Sequence, residues 1–153
     1  MQPTIREISN KQNLTHVETL AGRHALVTGG SRGIGATISE KLVQLGANLT
    51  LAARDEERLN QHRENLRQLG SSAINIQLMD LNNPESITQS HIAARNELGP
   101  VTILINNAGI APSAPLAELE LASWQDTYAI NAQAAFFYRR SSPICTIKNL
   151  AGW

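Results

Sequence analysis

The sequence predicts an α/β fold, a doubly wound parallel sheet wrapped by helices, and three observations carry that expectation. Short apolar runs alternate with amphipathic stretches, which is the sequence form of successive βαβ units. The run 101–105 is continuously β-branched or Leu, with no polar alternation beyond Thr102, as a parallel strand covered on both faces requires. A glycine cluster separates the first apolar run from the first helical pattern. The sheet is expected in the order three, two, one, four, truncated after about four strands.

Taken in order, residues 1–19 are expected to form a polar N-terminal arm, which lacks the apolar core of a secretory signal, and residues 20–153 are expected to form the domain, incomplete at its C-terminus. The first strand, Ala25-Leu26-Val27, leads through Thr28-Gly29-Gly30-Ser31-Arg32-Gly33-Ile34-Gly35 into a helix whose periodic positions are Ile34, Ile38, Leu42 and Leu45, ended by Gly46. The second strand, 49–53, precedes Asp55, which suits the cap of a helix with Leu59, Leu66 and Leu69 on one face and Gly70 past its end. After the third strand, 73–78, Asn83 as cap and Pro84 at the first helical position open a helix. Its Ile87, His91, Ala94 and Leu98 share a face before Gly99-Pro100. Ser123, with Asp126 three residues on, resembles a capping arrangement for a last helix reaching about Arg140.

Composition narrows the function classes. Hydrophobic residues make up 42% and charged residues 17% of the chain, as in an ordinary soluble globular protein rather than a disordered one. Thirteen basic residues balance thirteen acidic ones, so neither nucleic acid nor an anionic membrane is an expected partner. The pair Arg139-Arg140 reads as a solvated helix end rather than a nucleic-acid patch. The single Cys145 cannot form an internal disulfide and reads as a reduced cytoplasmic thiol. His16, His24, His62 and His91 are scattered and have no metal-ligand spacing, so no metal is expected. Trp124 and Trp153 read as packing residues. No apolar run reaches membrane-spanning length.

Chemistry enters at the glycine segment. A pyrophosphate approaches a helix N-terminus closely only where side chains are absent, and the free backbone N–H groups and helix dipole then attract its charge. Gly29, Gly33 and Gly35 provide that absence, following a strand and opening a helix inside a βαβ unit. That context distinguishes a Rossmann-type dinucleotide site from a tight turn with no ligand.

The spacing Thr28-Gly29-x-x-x-Gly33-x-Gly35, followed by Asn106-Asn107-Ala108-Gly109 after the fourth strand, resembles the classical short-chain dehydrogenase/reductase family. The resemblance covers about residues 20–131 and extends more loosely to Trp153, where Pro143 and Gly152-Trp153 look like the approach to a fifth strand. It implies that Asp80 accepts a hydrogen bond from the adenine amino group and that Leu81 adds a backbone contact. The alternative for Asp80 is a cap of the turn before Asn83. It also implies that Asn106 helps hold the central sheet while Asn107, Ala108 and Gly109 line the ribose side of the cofactor; otherwise they are a polar turn. Asn131 matches the family's helix asparagine, which supports a proton-relay water.

The implied activity is reversible NADPH-dependent reduction of a carbonyl to an alcohol, with 3-oxoacyl thioester reductases among the similar members. That chemistry uses a Ser, a Tyr and a Lys four residues after the Tyr, and these are expected beyond the fifth strand. Tyr128 and Tyr138 have Ala132 and Ser142 at the fourth position on. Without a neighbouring cation a Tyr titrates near about 10 and is a poor proton donor at neutral pH. The expectation is therefore a cofactor-binding half, with a non-catalytic NADP-binding module and an inert truncation product as alternatives. A small carbonyl or alcohol substrate is expected only in a complete form. Self-association is expected from an uncovered fourth strand and from Phe136 and Phe137.

NADP is expected in preference to NAD. An NAD site places a carboxylate near the end of the second strand for the ribose 2′-hydroxyl, where it would repel a 2′-phosphate. By resemblance that place is Ala53, and Asp55 is assigned to capping. Arg54 follows Ala53 and Arg32 precedes Gly33, both positions of the phosphate-binding cation in NADP-dependent relatives, with Ser31 as a further donor. Ile34, inside the glycine segment, completes the candidate contacts. The plain alternative makes both arginines solvated surface charges.

Overall fold

A computed structural model describes residues 20–70 and 72–141. The expected arm, Cys145 and the approach to a fifth strand lie outside those residues, as do the side chains of Arg139 and Arg140. Four strands, β1 (His24–Thr28), β2 (Asn48–Ala53), β3 (Ile74–Leu78) and β4 (Val101–Ile105), alternate with helices α1 (Gly33–Gln44), α2 (Glu56–Arg67) and α3 (Pro84–Leu98). A 3₁₀ turn (Leu116–Glu118), α4 (Leu121–Tyr128), a π-turn (Ala129–Gln133) and α5 (Ala134–Ser141) follow. All strand pairs are parallel and the order is β3-β2-β1-β4, as expected. The chain winds outward from β1 through β2 to β3 and returns to place β4 on the other side of β1. The C-terminal ends of β1 and β4 therefore flank a switch point, where doubly wound sheets leave a crevice for a ligand.

Strand periodicity divides the core between the two faces of the sheet. Ala25, Val27, Leu49 and Leu51 pack with Leu42 and Val43 of α1 and Leu59 and Leu66 of α2. Leu26 and Ala52, at alternate strand positions, face Ile87 and Ala94 of α3 and Ala134 and Tyr138 of α5. The buried His24, at the start of β1, is satisfied internally: it bonds through Nδ1 to the Gly99 carbonyl at 2.8 Å and through Nε2 to Thr50 Oγ1 at 2.9 Å.

Several expectations are corrected. Residues 102–105 of β4 are only half-buried, because β4 has a described neighbour on one side alone. Leu69 lies past the end of α2 and is exposed; His62 is the buried residue between Leu59 and Leu66 on that face. Ile34 is 76% exposed and does not join the core stripe of α1. The last helix is not one helix capped by Ser123. It begins at Leu121 without a side-chain cap, and Ser123 lies inside it, its carbonyl accepting from Thr127 Oγ1. A π-turn then divides α4 from α5. Trp124 is exposed and stacks on Tyr128, so it is not a core packing residue. Phe136 is exposed as expected, but Phe137 packs against the second core cluster.

Candidate functional site

The three glycines of the motif do three different things. Gly29 has φ +63°, and a Cβ there would lie 3.0 Å from the Ala108 Cα, so it permits both the sharp exit from β1 and the close approach of the loop after β4. Gly35 is buried against the Gly29 carbonyl and the Asn107 amide, with no room for a Cβ. It joins α1 to the turn and does not line the cleft. Gly33 has φ +53° and no atom within 4 Å of a Cβ position, so its absent side chain leaves open space at the mouth of α1. Sequence reasoning passed over Gly30, where a Cβ would lie 2.8 Å from Leu51 Cδ2. The doublet Gly29-Gly30 was its only signal.

Helix termini explain where an anion would be attracted. The first N–H groups of a helix lack intrahelical partners. At α2 the Asp55 carboxylate accepts from the Arg58 N–H at 3.0 Å, and at α3 Asn83 Oδ1 accepts from Glu85 and Ser86. At α1 the capping position is Arg32, which has no side-chain acceptor, and the first turn carries no acidic residue. Of these three helices, α1 alone presents its N-terminus without a side-chain acceptor.

The loop after β4 is fastened to this turn. Thr28 Oγ1 accepts from the backbone N–H of Asn107 and of Ala108, each at 3.0 Å, and Asn107 Nδ2 donates to the Thr28 and Gly29 carbonyls. The side chain that holds the sheet here is therefore Asn107, not the exposed Asn106. Further along, Asn131 sits in the π-turn and clasps the backbone of Ile110, accepting from its N–H at 2.9 Å and donating to its carbonyl at 2.8 Å. Its side chain is thus committed to holding the loop, with Gly109 close enough that a Cβ would lie 3.2 Å from Asn131 Oδ1.

These elements enclose a cleft of about 630 Å³. All the sequence-derived ligand contacts except Gly35 line it: Gly29, Ser31, Arg32, Gly33 and Ile34 from the turn, Arg54 after β2, Asp80 and Leu81 after β3, and Asn107, Ala108 and Gly109 after β4. Asn131 stands behind Ile110 rather than on the wall. The cleft also contains Arg58, Met79, Ile110 and Ile130, which the sequence reading did not select. Asp80 forms a local turn, its Oδ1 accepting from the Asn82 N–H at 3.0 Å, so it makes the turn contact and faces the cleft together. Among the described residues Arg32 and Arg54 form no ion pair, whereas Arg58 pairs with Asp55 through Nε at 3.0 Å.

Neither tyrosine faces the cleft. Tyr138 is buried beneath α3, donates to the Met79 sulfur and lies 3.4 Å from Ser90 Oγ. Burial pushes its phenol up to about 12, with the Ser90 bond opposing. Tyr128 is exposed against Trp124. Among the described residues no cluster of His, Cys, Asp or Glu could hold a metal, and no helix is long and apolar enough to cross a membrane.

Comparison with known proteins matches these features. The sequence pattern of the short chain dehydrogenase family fits residues 23–143. Gluconate 5-dehydrogenase of Gluconobacter oxydans is 37% identical over 119 residues, which are 78% of this chain and 46% of that one. The 3-oxoacyl-[acyl-carrier-protein] reductase of Vibrio cholerae is 36% identical over 117 residues, 76% of this chain and 46% of the reductase. The crystal structure of a metagenomic short-chain oxidoreductase in complex with NADP superposes with a TM-score of 0.77 at 34% identity, covering 81% of this chain and 56% of that one. The chain spans about half the length of the relatives it matches.

Proposed function

Because this chain belongs to the short-chain dehydrogenase family, we propose that its cleft binds NADP(H) and that it forms the cofactor-binding part of an oxidoreductase interconverting a carbonyl and an alcohol. The observation that carries the reading is the charge arrangement at the end of β2: Arg32 and Arg54 line the cleft without ion-pair partners among the described residues, and Ala53 stands where an NAD site would place a carboxylate. The planar guanidinium can give two charge-assisted hydrogen bonds to one phosphate. A structurally similar relative contains NADP, in agreement.

The residues present fit a dinucleotide. The open mouth of α1 at Gly33, with its uncapped N–H groups, would hold the pyrophosphate. Ser31, Arg32 and Arg54 would hold the 2′-phosphate, Asp80 and Leu81 the adenine, and Asn107, Ala108 and Gly109 the ribose side. Ile34, exposed at the cleft, would pack against the cofactor. When bound, NADPH supplies a hydride. Asn131 is a positioning residue in this reading, acting through the backbone of Ile110.

Proton transfer is assigned elsewhere than to Tyr128 or Tyr138, since neither has a Lys at the fourth position on or faces the cleft. The 153-residue chain assayed alone is expected to oxidise no NADPH with ketones or 3-oxoacyl thioesters, and turnover of about 1 per second or more would contradict this. The cofactor assignment is tested by calorimetric titration of an Arg32→Ala/Arg54→Ala variant. NADP binding should weaken by at least about tenfold and NAD binding should change little. Equal losses for both nucleotides would overturn the assignment.

A further inference from the structure

The cleft holds one carboxylate in a place that conflicts with a phosphate. Asp55 lies two residues beyond Ala53, on the wall that also carries Arg54. A free carboxylate at the end of the second strand favours the 2′-hydroxyl of NAD and repels the 2′-phosphate of NADP. Asp55 is not free. One of its oxygens accepts from the backbone N–H of Arg58 at 3.0 Å and the other pairs with Arg58 Nε at 3.0 Å, so a single residue occupies both. Arg58 itself lines the same cleft.

We propose that Arg58 is a specificity-determining residue: it neutralises the Asp55 carboxylate at the cleft wall, so that an acidic residue at the end of β2 remains compatible with NADP. The inference rests on the NADP reading above and extends it to a residue that need not touch the nucleotide. The one-turn spacing on α2 keeps the pair local. Both side chains are about half exposed, with relative exposures of 54% and 49%, so solvent weakens the pair and the effect on selectivity is modest. The Asp55 cap survives an Asn substitution, because Asn caps a helix as well as Asp does. Gln in place of Arg58 keeps a good helix former without the charge.

The experiment is calorimetric titration with NADP and with NAD of the unsubstituted chain, Arg58→Gln, and Arg58→Gln/Asp55→Asn. Arg58→Gln should lower the ratio of NADP to NAD affinity by about two- to fivefold, the range expected of a half-exposed ion pair. The second substitution should restore the ratio, since the exposed carboxylate is what repels the phosphate. An unchanged ratio in Arg58→Gln overturns the inference alone, as does a lowered ratio that Asp55→Asn fails to restore, which would mark Arg58 as a direct phosphate ligand. If the unsubstituted chain binds neither nucleotide, or both equally, the NADP reading fails and this inference falls with it.

Discussion

At the scale of single residues, the glycine motif separates into a ligand-facing part and a packing part, and mutation should separate them in the same way. An alanine at Gly33 meets no neighbour but must adopt φ near +53°, a strain of about 1–2 kcal/mol. Its methyl group also enters the space proposed for the pyrophosphate. Gly33→Ala should therefore lower stability only by that amount in urea unfolding while weakening NADP binding by about tenfold or more. An alanine at Gly35 would collide with the Gly29 carbonyl and the Asn107 amide, so Gly35→Ala should destabilise the fold by more than about 2 kcal/mol. Similar behaviour of the two variants would contradict this division. The sequence showed that these positions lack side chains, but not why. Gly33 and Gly35 are equivalent in a motif, and only the return of the chain through Asn107 makes one of them a joint. Arg58 was missed for a related reason, since a basic residue in the first turn of a helix has many solvated precedents and its pairing with Asp55 depends on side-chain rotamers.

At the scale of elements, the strands and the first three helices were legible because each is set by local signals: apolar runs, Asp55 and Asn83 as caps, and Gly46 and Gly99 at turns with positive φ. The region from Leu121 onward was less legible. Its helical periodicity runs through without a break, and the π-turn at Ala129–Gln133 accompanies a tertiary contact, the clasp of Asn131 on Ile110. Nothing in residues 121–141 encodes a partner twenty-one positions earlier. Each of those two hydrogen bonds contributes about 0.5–1.5 kcal/mol, too little to hold the domain together but enough to hold a loop. Asn131→Ala should thus leave the protein folded while speeding amide hydrogen exchange at Ile110 by about tenfold, with the amides of β1 and β2 unaffected. Unchanged protection at Ile110 would show that other contacts hold the loop after β4.

At the scale of the whole molecule, a sheet covered on both faces has carried three histidines into the interior. His24, His62 and His91 are all buried, and desolvation is the leading cause that holds each below the ordinary value of 6.5. At His91 the charges of Arg95 and His24 act in the same direction, whereas a backbone bond to Gly99 opposes the shift at His24, and the Glu40 carboxylate and a backbone bond to Ala36 oppose it at His62. Because the folded-state values are lowered, the unfolded chain binds more protons as the pH falls below 6.5. Stability should be constant above that value, with respect to these groups, and decline as pH falls from about 6.5 toward 5, before carboxylates contribute. A urea midpoint that does not change between pH 7 and pH 5 would contradict the burial of these rings. The two-sided core that buries them also fixes the ends of β1, β2 and β4 around one cleft, and the central claim is that this cleft is built for a 2′-phosphorylated dinucleotide. The most direct test is calorimetric titration of the unsubstituted chain with NADP and NAD under identical conditions at neutral pH. The account predicts binding of both with NADP at least about tenfold tighter, the difference that one charge-assisted phosphate contact confers. Equal affinities, or a preference for NAD, would contradict it.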